Sequence, residues 1–244
     1  NLRVIGQDAF KDCTSLTDIT MGNNIEVIEN GAFAHCFSLN SLNLPVSLKV
    51  IGLYAFEYSG VTQLTIDPQN PTFDIKGNAV YYRETKKIAA YPRNRSRVYQ
   101  QKKEKNQTKP PREYDPKKAW IVTGFDSGNR KLAGYRGKRT TTLILPKKVD
   151  KKPITQIGKF KCTYSEKIEE VIIPEGYKVI DYYAFAYLKF KRIILPNGLV
   201  DLGKEAFKKC RHLEQIKLGE GLEEINPDTF SGCKAFELLS IPVR

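Results

Sequence analysis

No stretch of this sequence approaches the roughly 18 consecutive apolar residues that a membrane-crossing helix needs, so no span of that kind is expected. Histidine is scarce, with only His35 and His212 in the chain, and one imidazole per locality is too few for a zinc centre. The spacings C-x-x-C, H-E-x-x-H and G-x-S-x-G do not occur, nor does a glycine-rich loop of the kind that cradles phosphate. These absences predict no metal, no cofactor and no enzymatic activity. Hydrophobic residues at 41% and charged residues at 27% nonetheless describe a chain able to fold around a core.

The formal net charge of +13 points toward nucleic acid only while its distribution is ignored. Residues 1–92 hold 7 Lys/Arg against 9 Asp/Glu, and residues 153–244 hold 14 against 13, so both flanks are close to neutral. The excess lies between them, with 10 against 3 in residues 93–118 and 9 against 2 in residues 119–152. A charge confined to one segment belongs to that segment and not to the fold.

What the chain does have is a repeat. Ala-Phe pairs fall at Ala9-Phe10, Ala32-Phe33 and Ala55-Phe56, then at Ala184-Phe185 and Ala206-Phe207, with Thr229-Phe230 in the same slot. An aliphatic residue lies five positions before each Phe (Ile5, Ile28, Ile51, Ile180, Leu202, Ile225), and Cys13, Cys36, Cys210 and Cys233 lie three positions after. An alternating apolar pair follows, as in Leu42/Leu44, Val171/Ile173 and Ile193/Leu195, often closed by proline. That alternation has the period of a half-buried strand. A unit of about 23 residues is too small for its own core, so units must stack, with parallel strands about 4.8 Å apart. The Ala-Phe step predicts a short helical turn, and a coil starting at Ile157 is degenerate, with Cys162 where the Phe belongs.

The unit L-x-x-I-x-I-P-x-x-L-x-x-I-G-x-x-A-F-x-x-C resembles the BspA-type leucine-rich repeat of bacterial and some protist surface proteins. Residues 70–92, NPTFDIKGNAVYYRETKKIAAYP, resemble that family's β-hairpin island, and residues 120–158 resemble the segment that opens a new array. The resemblance implies a repeat solenoid: a right-handed leucine-rich-repeat β/α superhelix with a parallel β-sheet, short helical turns and a β-hairpin insertion. The expected division is a first array over 1–68, a hairpin island over 69–92, a basic linker over 93–118 and a second array with its opening segment over 119–244. One curved sheet is expected, interrupted or joined near its middle by the hairpin and linker. The resemblance also implies an extracellular or cell-surface protein that binds another protein, for example a host or matrix surface protein.

Two candidate surfaces emerge. Within each strand the residue between the two inward positions faces outward, which places Ile144, Ile172, Ile194 and Lys217 in one exposed row; a contiguous apolar stripe marks a contact site. The bland alternative is that β-branched residues simply suit strands. The second candidate is the basic segment 93–152, with Arg93, Arg95, Arg97, Lys102, Lys103 and Lys105 able to neutralise a polyanion such as a sulfated glycan or wall polymer. Composition alone favours a solvated linker over 93–118, and nucleic acid is disfavoured as a partner because no aromatic stacking platform accompanies the charge. His35-Cys36 and Cys210-x-His212 pose the question of a Cys/His pair, but cysteines that follow the repeat period read as packing slots filled by small hydrophobes.

Overall fold

The computed structural model describes residues 1–92, 119–124, 130–162 and 165–241, and these form a β-solenoid with almost no helix. Every coil contributes one strand to each of two parallel ladders, one interrupted between Asp18–Thr20 and Ser41–Leu44 and the other between Asp201–Leu202 and Glu224–Ile225. The first ladder holds the alternating pairs: in Ser41–Leu44, Leu42 and Leu44 are buried while Ser41 and Asn43 are exposed. The second holds two-residue strands such as Val4–Ile5 and Glu224–Ile225, whose inward residues Ile5, Ile28, Ile180 and Ile225 are fully buried. Both ladders enclose a single core that runs the length of the stack.

The Ala-Phe step is not helical. Two residues before and two after each Phe the backbone is left-handed, as at Asp8 and Asp12, Tyr54 and Tyr58, Tyr183 and Tyr187, and Glu205 and Lys209. The reason lies in where the amides go. In the first coil Ala9, Lys11 and Cys13 donate within the turn, whereas Asp8, Phe10 and Asp12 donate to Asn30, Ala32 and Ala34 of the next coil. A helix needs every N–H for its own i→i−4 bonds. Here every second N–H is committed to a neighbouring coil, so the expected helical turn gives way to a chain of tight turns. Left-handed backbone costs a non-glycine residue about 1–2 kcal/mol, and the intercoil bonds offset it.

The aromatic slots stack into one column. Ring centroids are separated by 5.5 Å (Phe160–Phe185), 5.4 Å (Phe185–Phe207), 5.3 Å (Phe207–Phe230), 5.2 Å (Phe230–Phe10), 5.3 Å (Phe10–Phe33) and 6.0 Å (Phe33–Phe56). Phe160, not position 162, fills the slot in the coil that begins at Ile157. Its amide bonds Ala184 at 2.7 Å, because the strand Gln156–Cys162 runs straight through the region where other coils turn.

The order of that column is the main departure from expectation. Along the first ladder the strands run Thr142–Ile144, Glu170–Ile172, Arg192–Ile194, Gln215–Lys217, Leu238–Ser240 and then Asp18–Thr20. The second array therefore precedes the first in space, and the first coil rests on the last, with Ile5 opposite Ile225 and Ile19 opposite Leu239. The hairpin does not lie at the middle of the stack. The antiparallel sheet of Phe73–Lys76, Ala79–Tyr82 and Ile88–Ala90 covers one end, where Phe73 and Val80 enter the core and Asn70 bonds the carbonyls of Pro45 and Leu48. At the opposite end Trp120–Thr123 pairs with Lys131–Tyr135, which in turn pairs with Gln156–Cys162.

A two-residue turn joins Lys148–Val149 to Lys152–Pro153, with Asp150 at φ 51° and Lys151 at φ 63°. Positive φ at both central positions is the geometry that favours Asn-Gly. Lys151→Gly is expected to raise stability by about 0.5–1 kcal/mol through relief of that strain, read as a higher thermal midpoint; a lower midpoint would contradict the assigned turn.

Candidate functional site

The exposed row of the first ladder is assembled by register. Ile144 lies opposite Ile172, Ile172 opposite Ile194, and Ile194 opposite Lys217. Their in-line neighbours Leu143, Leu145, Val171, Ile173, Ile193 and Leu195 are buried, so the period of two turns the isoleucines outward. Ile144, at the end of the row, is 60% exposed, and Ile172 and Ile194 are half-buried. Beside the row Arg192 reaches Glu170 at 3.5 Å, a solvent-facing ion pair that borders the apolar strip. Further along the same face the outward residues turn polar, with Thr65 donating to Asn43 at 3.1 Å.

Six of the nine basic residues of 119–152 fall into two groups. Arg130 donates to the Val149 carbonyl at 2.9 Å and pairs with Asp150 at 3.5 Å, and Lys131 pairs with Asp181 at 2.5 Å, so both serve the fold. Lys147, Lys148, Lys151 and Lys152 are exposed on the small hairpin that follows the Ile144 strand. Composition had marked this region as basic. That these four lysines share one hairpin directly after the Ile144 strand follows from the pairing of Lys148–Val149 with Lys152–Pro153. Arg93, Arg95, Arg97, Lys102, Lys103 and Lys105 lie outside the described residues.

The cysteines form a buried column of their own. Cys13, Cys36, Cys210 and Cys233 are unbridged, and each thiol donates to a phenylalanine carbonyl of an adjacent coil, at 3.0–3.2 Å. Burial pushes the thiols of Cys13, Cys36 and Cys233 well above the ordinary range, which keeps them protonated and unreactive. His35 Nδ1 meets Asp12 at 2.8 Å while the Cys36 thiol bonds the Phe10 carbonyl, so this histidine and its neighbouring cysteine have separate partners. His212 is exposed and Cys210 is buried. Among the described residues no group of three or more His, Cys, Asp or Glu is placed to hold a metal ion, and no helix is long and apolar enough to cross a membrane.

A shallow polar recess is lined by Arg3, Glu26, Ser47 and Glu223. Lys49 and Arg3 both hydrogen-bond Glu26, at 2.8 and 2.6 Å, and hold its carboxyl below the usual range. The donors and acceptors of that ion-pair cluster are satisfied by one another.

Comparison with known proteins agrees with the repeat architecture. The family model for the BspA type leucine rich repeat region matches residues 1–100 and 140–244, in 6 copies. No curated protein matches the chain. Among solved structures, a leucine rich cell surface protein of Faecalibacterium prausnitzii A2-165 is 18% identical at a TM-score of 0.32, over 98% of this chain and 57% of that one. The pneumococcal vaccine antigen PcpA is 15% identical at a TM-score of 0.34, over 99% and 55% respectively. A leucine-rich repeat protein of Bacteroides ovatus ATCC 8483 is 17% identical at a TM-score of 0.35, over 98% and 58%. The chain spans a little over half the length of these structures.

Proposed function

Because the chain belongs to the BspA-type leucine-rich-repeat family, we propose that it is a non-enzymatic interaction protein of the cell surface or extracellular space. Its partner is another protein, such as a host or matrix surface protein, bound through the face that carries Ile144, Ile172 and Ile194. The observation that carries this reading is the register of those isoleucines on consecutive strands of one solvent-facing ladder. Partner binding would remove that strip from water, and a rigid sheet presents it with little ordering cost. Lysines at the end of the row add electrostatic steering toward a partner with an acidic rim.

The reading is tested by retention on immobilised matrix protein across a salt gradient. The intact chain is expected to stay bound at high salt. Ile172→Asp, which puts a charge at the centre of the strip, is expected to weaken binding about 30-fold or more, as loss of an interface hot spot does. Its stability cost is only about 1 kcal/mol for the half-buried strand position, so that the variant is still folded when binding is read. Retention of the Ile172→Asp variant equal to that of the intact chain would remove the sheet face from consideration.

A second reading has a specific observation behind it: the four exposed lysines of the hairpin. A polyanion such as a sulfated glycan or wall polymer, held by residues 93–152, would be released steeply by salt. Immobilised heparin distinguishes the two. Retention that collapses at moderate salt, and is lost when the Lys and Arg residues of 93–118 or Lys147, Lys148, Lys151 and Lys152 are neutralised, favours the basic segment over the isoleucine row.

A further inference from the structure

Every coil boundary in the two arrays is crossed by the polypeptide except one, that between the coil of Ile225 and the coil of Ile5. In geometry this seam matches its neighbours. Asp228 donates to Gln7 at 2.8 Å, Phe230 to Ala9 at 2.8 Å and Gly232 to Lys11 at 2.7 Å. The equivalent bonds one coil away, from Glu205, Phe207 and Lys209 to Pro227, Thr229 and Ser231, measure 3.1, 2.9 and 2.8 Å. The ring spacing of 5.2 Å across the seam continues the 5.3 Å spacings on either side.

A second observation concerns the residue after each inward Ile or Leu. In spatial order these residues are Gly158, Asp181, Gly203, Asn226, Gly6, Glu29 and Gly52, so glycine alternates with a larger residue and the phase continues over the seam. The alternation has a steric cause. A Cβ on Gly6 would lie 2.6 Å from the Ile225 carbonyl oxygen and 2.9 Å from the Asn226 carbonyl carbon, just as one on Gly203 would lie 2.5 Å from the Tyr182 nitrogen. The two seam faces are therefore matched in backbone register, ring column and side-chain volume, yet they are held in one molecule only by the route through residues 93–118.

We infer that the seam is an exchangeable interface whose second partner is another copy of this chain: the coil face bearing Ile225, Phe230 and Leu239 takes the first coil of a neighbour in place of its own, and the neighbour reciprocates. A reciprocally exchanged pair has the same two seams as two separate monomers, so the contact energies cancel and concentration decides. A segment as long as 93–118 can reach roughly 85 Å when extended, against about 30 Å for a stack of seven coils, which permits closure both within a chain and between chains. Exchange is therefore expected to become appreciable as the protein concentration approaches the order of 1 mM. Dilute protein is monomeric, and concentrated refolding captures pairs that separate only when a seam opens.

The test uses Val4 and Glu224, which lie opposite each other across the seam on its solvent side. Neighbouring parallel strands lie about 4.8 Å apart, within the Cα separation a disulfide accepts. In full-length chains carrying Cys162→Ser, the double variant Val4→Cys/Glu224→Cys is expected to close a disulfide within the monomer. The two single variants, unfolded, mixed, refolded and then oxidised, are expected to give a disulfide-linked heterodimer. Its yield should rise at least tenfold between about 1 µM and about 500 µM protein. Replacing Val4→Cys by Val50→Cys, which sits two coils farther along the same ladder, should give no such dimer. Failure of the double variant to close removes the seam and the inference with it. Closure of the double variant with no heterodimer at either concentration, or equal dimer from the Val50→Cys control, overturns exchange.

Discussion

Gly6→Ala is expected to destabilise the chain by roughly 2–4 kcal/mol, far more than one methyl group on a solvent-facing turn would cost. The added carbon would stand 2.6 Å from the Ile225 carbonyl oxygen, 2.8 Å from the Pro227 nitrogen and 2.9 Å from the Asn226 carbonyl carbon. All three are backbone atoms, which cannot swing aside as a side chain can, so relief requires the two coils to separate. In a stack where each coil touches only its neighbours, weakening one boundary also uncouples the parts on either side. The urea transition of Gly6→Ala should therefore shift to lower denaturant and broaden or split. Gly77→Ala is the matched comparison: at φ +62°, with nothing within 4 Å of the new Cβ, it carries backbone strain alone, about 1 kcal/mol. Equal shifts for the two variants would mean that the first and last coils are not in contact.

Phe230→Ala carries the second large effect, a loss of roughly 3–5 kcal/mol. Its ring is fully buried between Phe207 and Phe10, at 5.3 and 5.2 Å, with Phe236 at 5.7 Å. Truncation leaves a cavity in the middle of the column and ends ring contact on both sides. Phe56 lies at the end of the column, 6.0 Å from Phe33, so Phe56→Ala should cost about 1 kcal/mol less, the value of one aromatic pair. Guanidinium unfolding of both variants gives the order. By sequence position Phe230 belongs to the last coil and should behave as an end; by position in the stack it is central. A cost for Phe230→Ala below that for Phe56→Ala would favour the sequence order over the spatial one.

These expectations rest on features of unequal legibility. The repeat slots could be read directly, because a strand with a period of two and an aliphatic residue five positions before each Phe specify which side chains face in, whatever the neighbouring coil. The isoleucine row follows from the same logic, and the structure places Ile144, Ile172 and Ile194 side by side. The Ala-Phe step reads as helical in sequence because a local pattern does not reveal that Asp8, Phe10 and Asp12 commit their amides to another coil. The repeat spacing points to position 162 and not to Phe160 because it presupposes a turn where the chain continues as a strand.

Apart from the second strand of each coil, such as Val4–Ile5, which comes from the structure, the sequence by itself determined the unit: its alternating strand, its inward residues, its aromatic and thiol slots, and the family to which such a unit belongs. Those are local properties, set by the alternation of apolar and polar side chains and repeated until chance is excluded. Only the tertiary structure decided the order in which the units stack. Any coil face of this kind can receive any other, so nothing within a single repeat distinguishes its neighbour in sequence from its neighbour in space. The choice falls to the way buried faces are shielded from water across the whole chain. The opening segment covers the coil of Ile157 and the hairpin covers the coil of Ile51, which leaves the faces of Ile5 and Ile225 to bury each other.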